Sequence, residues 1–277
     1  MSRRNLIAAL VIGPALFGLA ACGSSDQASS DCKPKDKVTT ISEGRLTIAV
    51  YDQPPTISTT GKDGYSGVDA DIINKFAEQQ CLKVVPKPVS ASTIVTGVQT
   101  KKFDVGLGGW ARTAERAKVV SISDPAYIDK LAFIASDKVA TFDELKGKTV
   151  GVVDGYAFVQ DVQKLYGNSN VKLYPSPLEV AQDLAAGRID AAVDTYTNAP
   201  FTYDKKFTVT AAPEDERVEF TMTPLQLAML FPKDETQLVE AFNQFLAESR
   251  DDGTIASILE KHGIDPSLAE VGEFRPV

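Results

Sequence analysis

The sequence predicts an α/β protein of two lobes, each built on a mostly parallel β-sheet. Short apolar, β-branched segments alternate with segments of helical periodicity over residues 46–107, and again from residue 140 onward. This alternation is typical of βαβ units. No segment after residue 21 is long and apolar enough to span a bilayer. About 240 residues remain, which is enough for two medium-sized domains with their own cores.

The first block begins with a predicted strand at residues 46–50. It ends before Gln53-Pro54-Pro55, because proline continues neither a strand nor a helix. The elements expected next are a helix over residues 68–76, a strand at 84–85, a helix over 93–98 and a strand over 103–107.

The second block has the same organisation. It predicts a short helix at residues 141–144, strands at 149–153, 171–174 and 189–193, and helices at 158–166 and 178–186. After an apolar segment at residues 225–231, helices are expected over 237–248 and 254–262. The pattern leaves open whether these last helices return to the first lobe.

The amino terminus resembles an export signal. Two arginines precede an apolar run over residues 6–19, and Leu19-Ala20-Ala21 precedes Cys22. This order is typical of a cleaved signal peptide over residues 1–21. The residues before Cys22 resemble the bacterial lipobox, in which the cysteine is diacylated and becomes the mature terminus. The alternative is an ordinary cleaved signal followed by a chance cysteine.

Residues 22–44 are expected to form a flexible tether, because their polar first part cannot bury enough apolar surface to fold. Residues 1–21 hold two of the 29 basic residues and none of the 37 acidic ones, so the mature chain has a net charge of −10. Such a charge argues against nucleic acid and against an anionic membrane surface as partners. Cys32 and Cys81 are the two remaining thiols of an exported chain, so a disulfide between them is expected.

The end of the strand at residues 103–107 carries a candidate anion site. Ligands of open α/β sheets bind beyond the carboxyl ends of the strands. Thr113 is a good helix N-cap, which places Arg116 in the first helical turn. Backbone N–H groups and a guanidinium there would converge on one carboxylate. The alternatives are a solvated arginine or an ion pair with Asp124.

A second strand end carries an acid. Ile189 and Val193 share one face of the predicted strand, and Asp194 falls at its carboxyl end. Asp194 could pair with an ammonium group in a cleft, or could cap the next helix.

Other chemistry has little support in the sequence. His262 is the only histidine and is expected to be a cation at a helix end, so no metal and no cofactor are predicted. No nucleophile triad, phosphate loop or dinucleotide fingerprint is present. Asp69 and Asp71 could serve acid–base chemistry, but Asp69 is expected to start the helix that runs to Phe76.

Several segments resemble the bacterial extracellular solute-binding proteins of family 3, which deliver polar amino acids to ABC importers. The similar segments, in chain order, are residues 67–72 (Gly-Val-Asp-Ala-Asp-Ile), 113–116 (Thr-Ala-Glu-Arg), 123–127 (Ser-Asp-Pro-Ala-Tyr), 187–194, 225–233 and 252–254. The resemblance extends from about Leu46 to Ile264.

The resemblance implies a periplasmic-binding-protein type II fold, in which two lobes close over the ligand about a two-strand hinge. The implied division is a signal peptide at 1–21, a tether at 22–44, a first lobe at 45–134 and 226–277, and a second lobe at 135–225. The resemblance also implies that Arg116 binds the α-carboxylate of the ligand and that Asp194 binds its α-ammonium.

Some residues depart from the family pattern. Ala111 stands where relatives usually have a Ser or Thr hydroxyl, Tyr156 lies in a helix start that usually has a Gly-Thr pair, and Arg112 fills a usually apolar position. The residues expected at the ligand, besides Arg116 and Asp194, are Gly109, Ala111, Arg112 and the aromatic residues Tyr51, Trp110, Tyr156 and Phe158.

The predicted function is a non-enzymatic receptor on the outer face of the cell membrane, anchored by the Cys22 lipid. It would capture a small zwitterion, most simply a polar amino acid, for the permease and ATPase of an ABC importer. A monomer is expected. The alternatives are a binding-protein fold recruited for catalysis, as in the similar dehydratases, and a sensor lipoprotein.

Overall fold

The computed structural model describes residues 32–275. The predicted signal peptide, Cys22 and the first part of the predicted tether lie outside these residues. Within the described part of the chain, no helix is long and apolar enough to cross a membrane.

The first sheet is mixed and brings together strands from both ends of the chain. Its spatial order is β2-β1-β3-β11-β4, with β5 also paired to β11. β1 is parallel to β2 and β3, whereas β11 is antiparallel to β3. The strands are β1 (Arg45–Val50), β2 (Lys83–Pro88), β3 (Val105–Ala111), β4 (Ser121–Ile122), β5 (Tyr127–Asp129) and β11 (Leu225–Phe231).

The second sheet is formed entirely by the middle of the chain. Its order is β10-β6-β9-β7-β8. β7 is parallel to β8 and β9, and β6 is antiparallel to β9 and β10. The strands are β6 (Leu131–Ala135), β7 (Val150–Val153), β8 (Val171–Tyr174), β9 (Ala191–Thr195) and β10 (Thr208–Ala211). The α/β prediction is therefore confirmed.

Helices connect the strands within each block. They are α1 (Val68–Gln79), α2 (Ala91–Gln99), α3 (Ala114–Ala117), α4 (Val159–Tyr166), α5 (Pro177–Ala185), α6 (Ala199–Thr202), α7 (Glu219–Met222), α8 (Thr236–Asp251) and α9 (Thr254–Lys261). The predicted short helix near residue 141 is a 3₁₀ helix at Phe142–Leu145. The strand predicted at 189–193 begins only at Ala191.

The last long helices pack on the first lobe. Phe242 and Phe245 of α8 contact Phe76 of α1, with ring centroids 5.1 and 5.7 Å apart. Phe242 and Phe76 are fully buried. The carboxyl-terminal helices thus complete the core next to the first sheet, which answers the question that the periodicity left open.

The sheets divide the chain slightly earlier than the predicted boundary at residue 134. β5 pairs in the first sheet and β6 already pairs in the second, so the chain changes sheets at Lys130. It returns between Ala211 and Leu225. The assignment of these two parts as separately moving lobes stays a prediction.

Residues 32–44 are fixed to the first lobe. Cys32 is disulfide-bonded to Cys81 at the end of α1, as predicted. The backbone N–H of Ile41 donates to Asp104 Oδ1 at 2.7 Å. A flexible tether that extended to residue 44 is therefore wrong for this part, because a covalent bond and a buried carboxylate hold the segment in place.

Candidate functional site

Residues of both sheets and of the loops that adjoin them line one cleft, which contains about 410 Å³ of space free of protein atoms, including space open to solvent. Seven of the nine predicted ligand residues line it, and Arg112 and Asp194 do not. The lining residues are Tyr51, Gln53, Ala91, Gly108, Gly109, Trp110, Ala111, Arg116, Asp154, Gly155, Tyr156, Ala157, Phe158, Thr195, Leu225 and Leu227.

The first-lobe wall is held by Asp69. Its Oδ2 accepts the backbone N–H groups of Gly108 and Gly109 at 2.8 and 2.9 Å, and its Oδ1 accepts the Tyr127 hydroxyl at 2.9 Å. Burial raises the pKa of Asp69, and the two N–H bonds oppose that rise. The expectation that Asp69 starts α1 as a cap is wrong, because Gly67 occupies the cap position.

Gly109 lines the cleft, but its N–H is already bonded to Asp69. The residue has a φ of +59°, and a Cβ there would approach Thr56 Cγ2 to 3.2 Å. Its contribution to the cleft is therefore the missing side chain, which lets the loop turn close to Thr56.

Arg116 lies at the start of α3. The Thr113 hydroxyl accepts the Arg116 N–H at 3.2 Å, which confirms Thr113 as the N-cap. The guanidinium donates from Nη1 to Ala111 O at 2.6 Å and from Nη2 to Gly155 O at 2.9 Å. These are carbonyl partners on opposite sides of the cleft, rather than the Asp124 considered from the sequence.

The guanidinium of Arg116 also lies over the Trp110 ring, 4.9 Å from its centroid. Burial lowers the pKa of Arg116 to about 10. The group is still a cation at neutral pH, and a planar cation in a partly dry cleft is suited to a carboxylate.

Asp194 lies on β9, behind the second-lobe wall, and is only 1% exposed. It accepts the Thr195 N–H at 2.7 Å, the Tyr203 hydroxyl at 2.8 Å and the Asn198 amide at 3.3 Å. Burial raises the pKa of Asp194, and these donors oppose the rise. The capping alternative is wrong, because Asn198 occupies the cap position of α6.

Tyr51 lines the cleft beside Arg116 and is influenced by both charged residues. Burial raises its pKa, Asp194 adds to the rise and Arg116 opposes it. Its hydroxyl donates to Gln53 Oε1 and lies 3.1 Å from Gly108 O. Both charges therefore act on one ring of the cleft. Their roles toward a ligand stay predictions.

Asp129 connects β5, the strand before the chain changes sheets, to the loop after β9. Its carboxylate accepts both the N–H of Thr197, at 3.1 Å, and the Thr197 hydroxyl. It also accepts the Lys130 N–H at 2.7 Å. Burial raises the pKa of Asp129 to about 6, and nearby Asp194 contributes to this rise. The segment that carries Asp194 is thus fixed to the strand where the chain changes sheets.

Two buried hydroxyls of the second-lobe wall are poorly paired: Tyr156 has only a poorly aligned contact with Asp194, and Thr195 has no partner in the described part of the chain. Among residues 32–275, Tyr156 Oη and Thr195 Oγ1 are buried side-chain atoms without a hydrogen bond of normal geometry. Burial raises the pKa of Tyr156, and the neighbouring Asp194 raises it further. Tyr156 packs on Phe158 with ring centroids 5.3 Å apart. Buried hydroxyls are usually paired, so these two are unusual for a protein interior.

Arg112 was expected at the ligand, and this expectation is wrong. Successive residues of an extended chain point to opposite sides, and Arg112 directly follows Ala111, which lines the cleft. Its guanidinium donates to Ser123 O and to Arg275 O, and lies over the Phe274 ring. Arg112 therefore anchors the carboxyl-terminal segment outside the cleft.

Sequence reasoning missed several residues of the site. Thr195 follows the predicted Asp194 directly, and Gln53 directly precedes the double proline, so position along the chain gave a usable signal for both. The pairing of Asp129 with Thr197 joins residues 68 positions apart and left no local signal. In the described part of the chain, no group of three or more His, Cys, Asp or Glu could hold a metal ion.

Residues 46–265 match the model of a family described as bacterial extracellular solute-binding proteins, family 3. The lysine/arginine/ornithine-binding periplasmic protein of Escherichia coli (strain K12) is 28% identical over 225 residues, covering 75% of this chain and 83% of that protein. The probable amino-acid-binding protein YxeM of Bacillus subtilis (strain 168) is 27% identical over 263 residues, covering 91% and 93%.

Among solved structures, an ancestral arginine-binding protein bound to arginine is similar, with a TM-score of 0.68 and 28% identity. The match covers 79% of this chain and 97% of that one. The similarity confirms the predicted type II periplasmic-binding-protein fold.

Proposed function

Because this chain belongs to the bacterial extracellular solute-binding proteins, family 3, we propose that its cleft captures an amino acid as a zwitterion. The chain is a solute receptor and not an enzyme, as its named relatives are binding proteins. In the proposal, Arg116 binds the α-carboxylate from the first lobe. Asp194 attracts the α-ammonium from the second lobe.

The observation that carries this proposal is that opposite charges from the two parts of the chain meet at the cleft. Arg116 on α3 lines the cleft beside Tyr51, Asp194 is buried on β9, and the two act on the pKa of Tyr51 in opposite directions. A zwitterion presents opposite charges a few ångströms apart, so it complements such a pair. Because the carboxylate of Asp194 is covered by Tyr203 and Asn198, the ammonium would approach it from the side of Tyr156.

The setting of the receptor is part of the proposal. Family members act outside the cytoplasm, and the amino-terminal pattern at Leu19–Cys22 supports a lipid anchor on the outer face of the membrane. Delivery to an ABC importer follows from the family. A sensor role would use the same ligand site.

A thermal-shift screen over the amino acids and related carboxylates tests the proposal, with calorimetry on each hit. A ligand at 100 times its dissociation constant adds about 2.7 kcal/mol to the free energy of unfolding. We expect a free amino acid to produce such a shift, and its N-acetyl and α-amide derivatives to produce none. Equal binding of the free and N-acetylated forms would eliminate the ammonium contact.

A further inference from the structure

The charged groups at the cleft restrict the chemistry of its ligand. Arg116 and Asp154 are the only charged residues in its lining within residues 32–275, and Asp154 is exposed at the rim. The other polar lining groups are neutral: the hydroxyls of Tyr51, Tyr156 and Thr195 and the amide of Gln53.

The buried acids near the cleft are already bonded within the protein. Asp69 holds the Gly108–Gly109 loop and Asp129 holds Thr197. Asp194 accepts hydrogen bonds from Thr195, Tyr203 and Asn198, and the proposed function already assigns it to the α-ammonium. A second cation on the ligand side chain would therefore lose its hydration without gaining an available buried carboxylate.

The neutral hydroxyls, by contrast, have unused capacity. Thr195 is 7% exposed, lines the cleft and makes no hydrogen bond through Oγ1. Tyr156 also lines the cleft, and its buried Oη has only a poorly aligned contact with Asp194. A buried hydroxyl without a partner destabilises the state in which it occurs. A ligand group that can both accept and donate a hydrogen bond would remove that penalty.

We infer, on the basis of the proposed function, that Thr195 and Tyr156 form the subsite for a neutral polar side chain. The captured amino acid then carries a hydroxyl or carboxamide group and no second positive charge. Thr195 is the specificity-determining residue, since its side chain lines the cleft and its buried Oγ1 makes no hydrogen bond. This ligand class differs from the dibasic amino acids in the names of several relatives.

Calorimetry on the wild-type protein tests the ligand class. The panel contains glutamine, asparagine, serine and threonine, their apolar counterparts methionine and valine, and the cationic arginine and lysine. A site built around hydrogen bonds discriminates strongly against analogues that lack the bonding group. We expect one neutral polar amino acid to bind at least tenfold more tightly than its apolar counterpart. We expect the same margin over arginine and over lysine.

Thr195→Val tests the residue, because it removes the hydroxyl and keeps the shape. In Thr195→Val we expect the affinity for the polar ligand to fall at least fivefold and that for its apolar counterpart to fall less than threefold. Thr195→Ser keeps a hydroxyl, so its affinity for the polar ligand should stay within threefold of wild type. Thr208→Val, the same change at an exposed strand position outside the cleft, is the matched control and should leave both affinities unchanged.

The outcomes separate the two proposals. Tightest binding of arginine or lysine overturns the neutral subsite and leaves amino-acid capture standing. Equal losses for polar and apolar ligands in Thr195→Val overturn the role of Thr195. If no amino acid binds at all, the proposed function itself fails. The wild-type panel decides the ligand class even if Thr195→Val does not fold.

Discussion

The two walls of the cleft use their hydrogen-bonding groups differently. On the first-lobe wall, Asp69 binds two backbone N–H groups, and the Trp110 indole donates to Leu107 O at 3.1 Å. On the second-lobe wall, the Thr195 hydroxyl has no hydrogen-bond partner among residues 32–275, and the Tyr156 hydroxyl has only a poorly aligned contact with Asp194. The difference indicates that the first wall is complete before a ligand arrives and that the second wall is completed by the ligand.

Substitutions in the two walls are therefore expected to affect stability and affinity differently. Changes to the internally bonded first wall are expected to alter both folding and binding, because the bonds that hold it are part of the folded core. Changes to the unpaired groups of the second wall are expected to alter binding with little effect on folding.

The largest effect is expected from Arg116→Ala, which removes the cation of the cleft. A charge-assisted pair in a closed cleft has no equivalent replacement, so we expect a loss of at least about 2–4 kcal/mol in binding free energy for any ligand with a free carboxylate. Calorimetry on the ligand found by the screen measures the loss. Arg188→Ala, at an exposed arginine of the second lobe paired with Asp183, is the control. An affinity of Arg116→Ala within threefold of wild type would refute the role of Arg116.

A smaller effect is expected from Asp69→Asn, which tests whether the first wall is part of the folded core. Hydrogen bonds to a charged acceptor stabilise by about 1.5–3 kcal/mol, so we expect the free energy of unfolding to fall by about 2 kcal/mol. Asp71→Asn is the matched control two residues away, because Asp71 is partly exposed and pairs with Lys261 and His262 rather than with the cleft wall. Exposed ion pairs contribute about 0–1 kcal/mol each, so the control is expected to lose less than Asp69→Asn. Denaturant titration compares the two. Equal losses in the free energy of unfolding would contradict the inference that Asp69 holds the first wall as part of the folded core.

The sequence predicted structure well only where the pattern was local, among neighbouring residues of one element. Helices α8 and α9 follow from periodicity, and the structure places them close to the predicted bounds. Asp69 was misinterpreted, because an acid in a first helical turn resembles a cap and its true partners lie 39 and 40 residues away. Arg112 was misplaced because the side to which a residue points depends on where its strand ends.

Short strands gave an even weaker signal. β5 has three residues and β4 has two, and each exists because β11 offers it an antiparallel partner about 100 residues later in the chain. The carboxylate of Asp129, which ends β5, was therefore invisible from the sequence although it joins the two walls.

Asp129, whose carboxylate links β5 to Thr197, predicts a pH dependence of stability. The pKa of Asp129 is raised by burial to about 6, above its value in an unfolded chain. A raised carboxyl pKa stabilises the fold fully below about pH 4, and this contribution is lost as pH rises through about 6. The asparagine of Asp129→Asn does not titrate in this range. The free energy of unfolding of wild type, relative to that of the variant, should therefore fall by about 2 kcal/mol between pH 4 and pH 7. Denaturant titrations at several pH values measure this difference, and a difference that stays constant with pH would contradict it.

The central claim is that the two walls close together on one ligand. In the structure the walls already touch, since Arg116 of the first lobe donates to Gly155 O of the second. A Cβ on Gly263, beyond α9, would also lie 3.7 Å from Phe201 on α6. Closure around a ligand requires that the lobes separate without it.

Small-angle X-ray scattering with and without ligand, at a concentration that calorimetry shows to be saturating, measures this most directly. We expect a smaller radius of gyration in the bound state. We also expect no such decrease for Arg116→Ala at the same ligand concentration. An unchanged radius for the saturated wild-type protein would mean that the pocket is closed before the ligand binds, and would contradict the two-lobe mechanism.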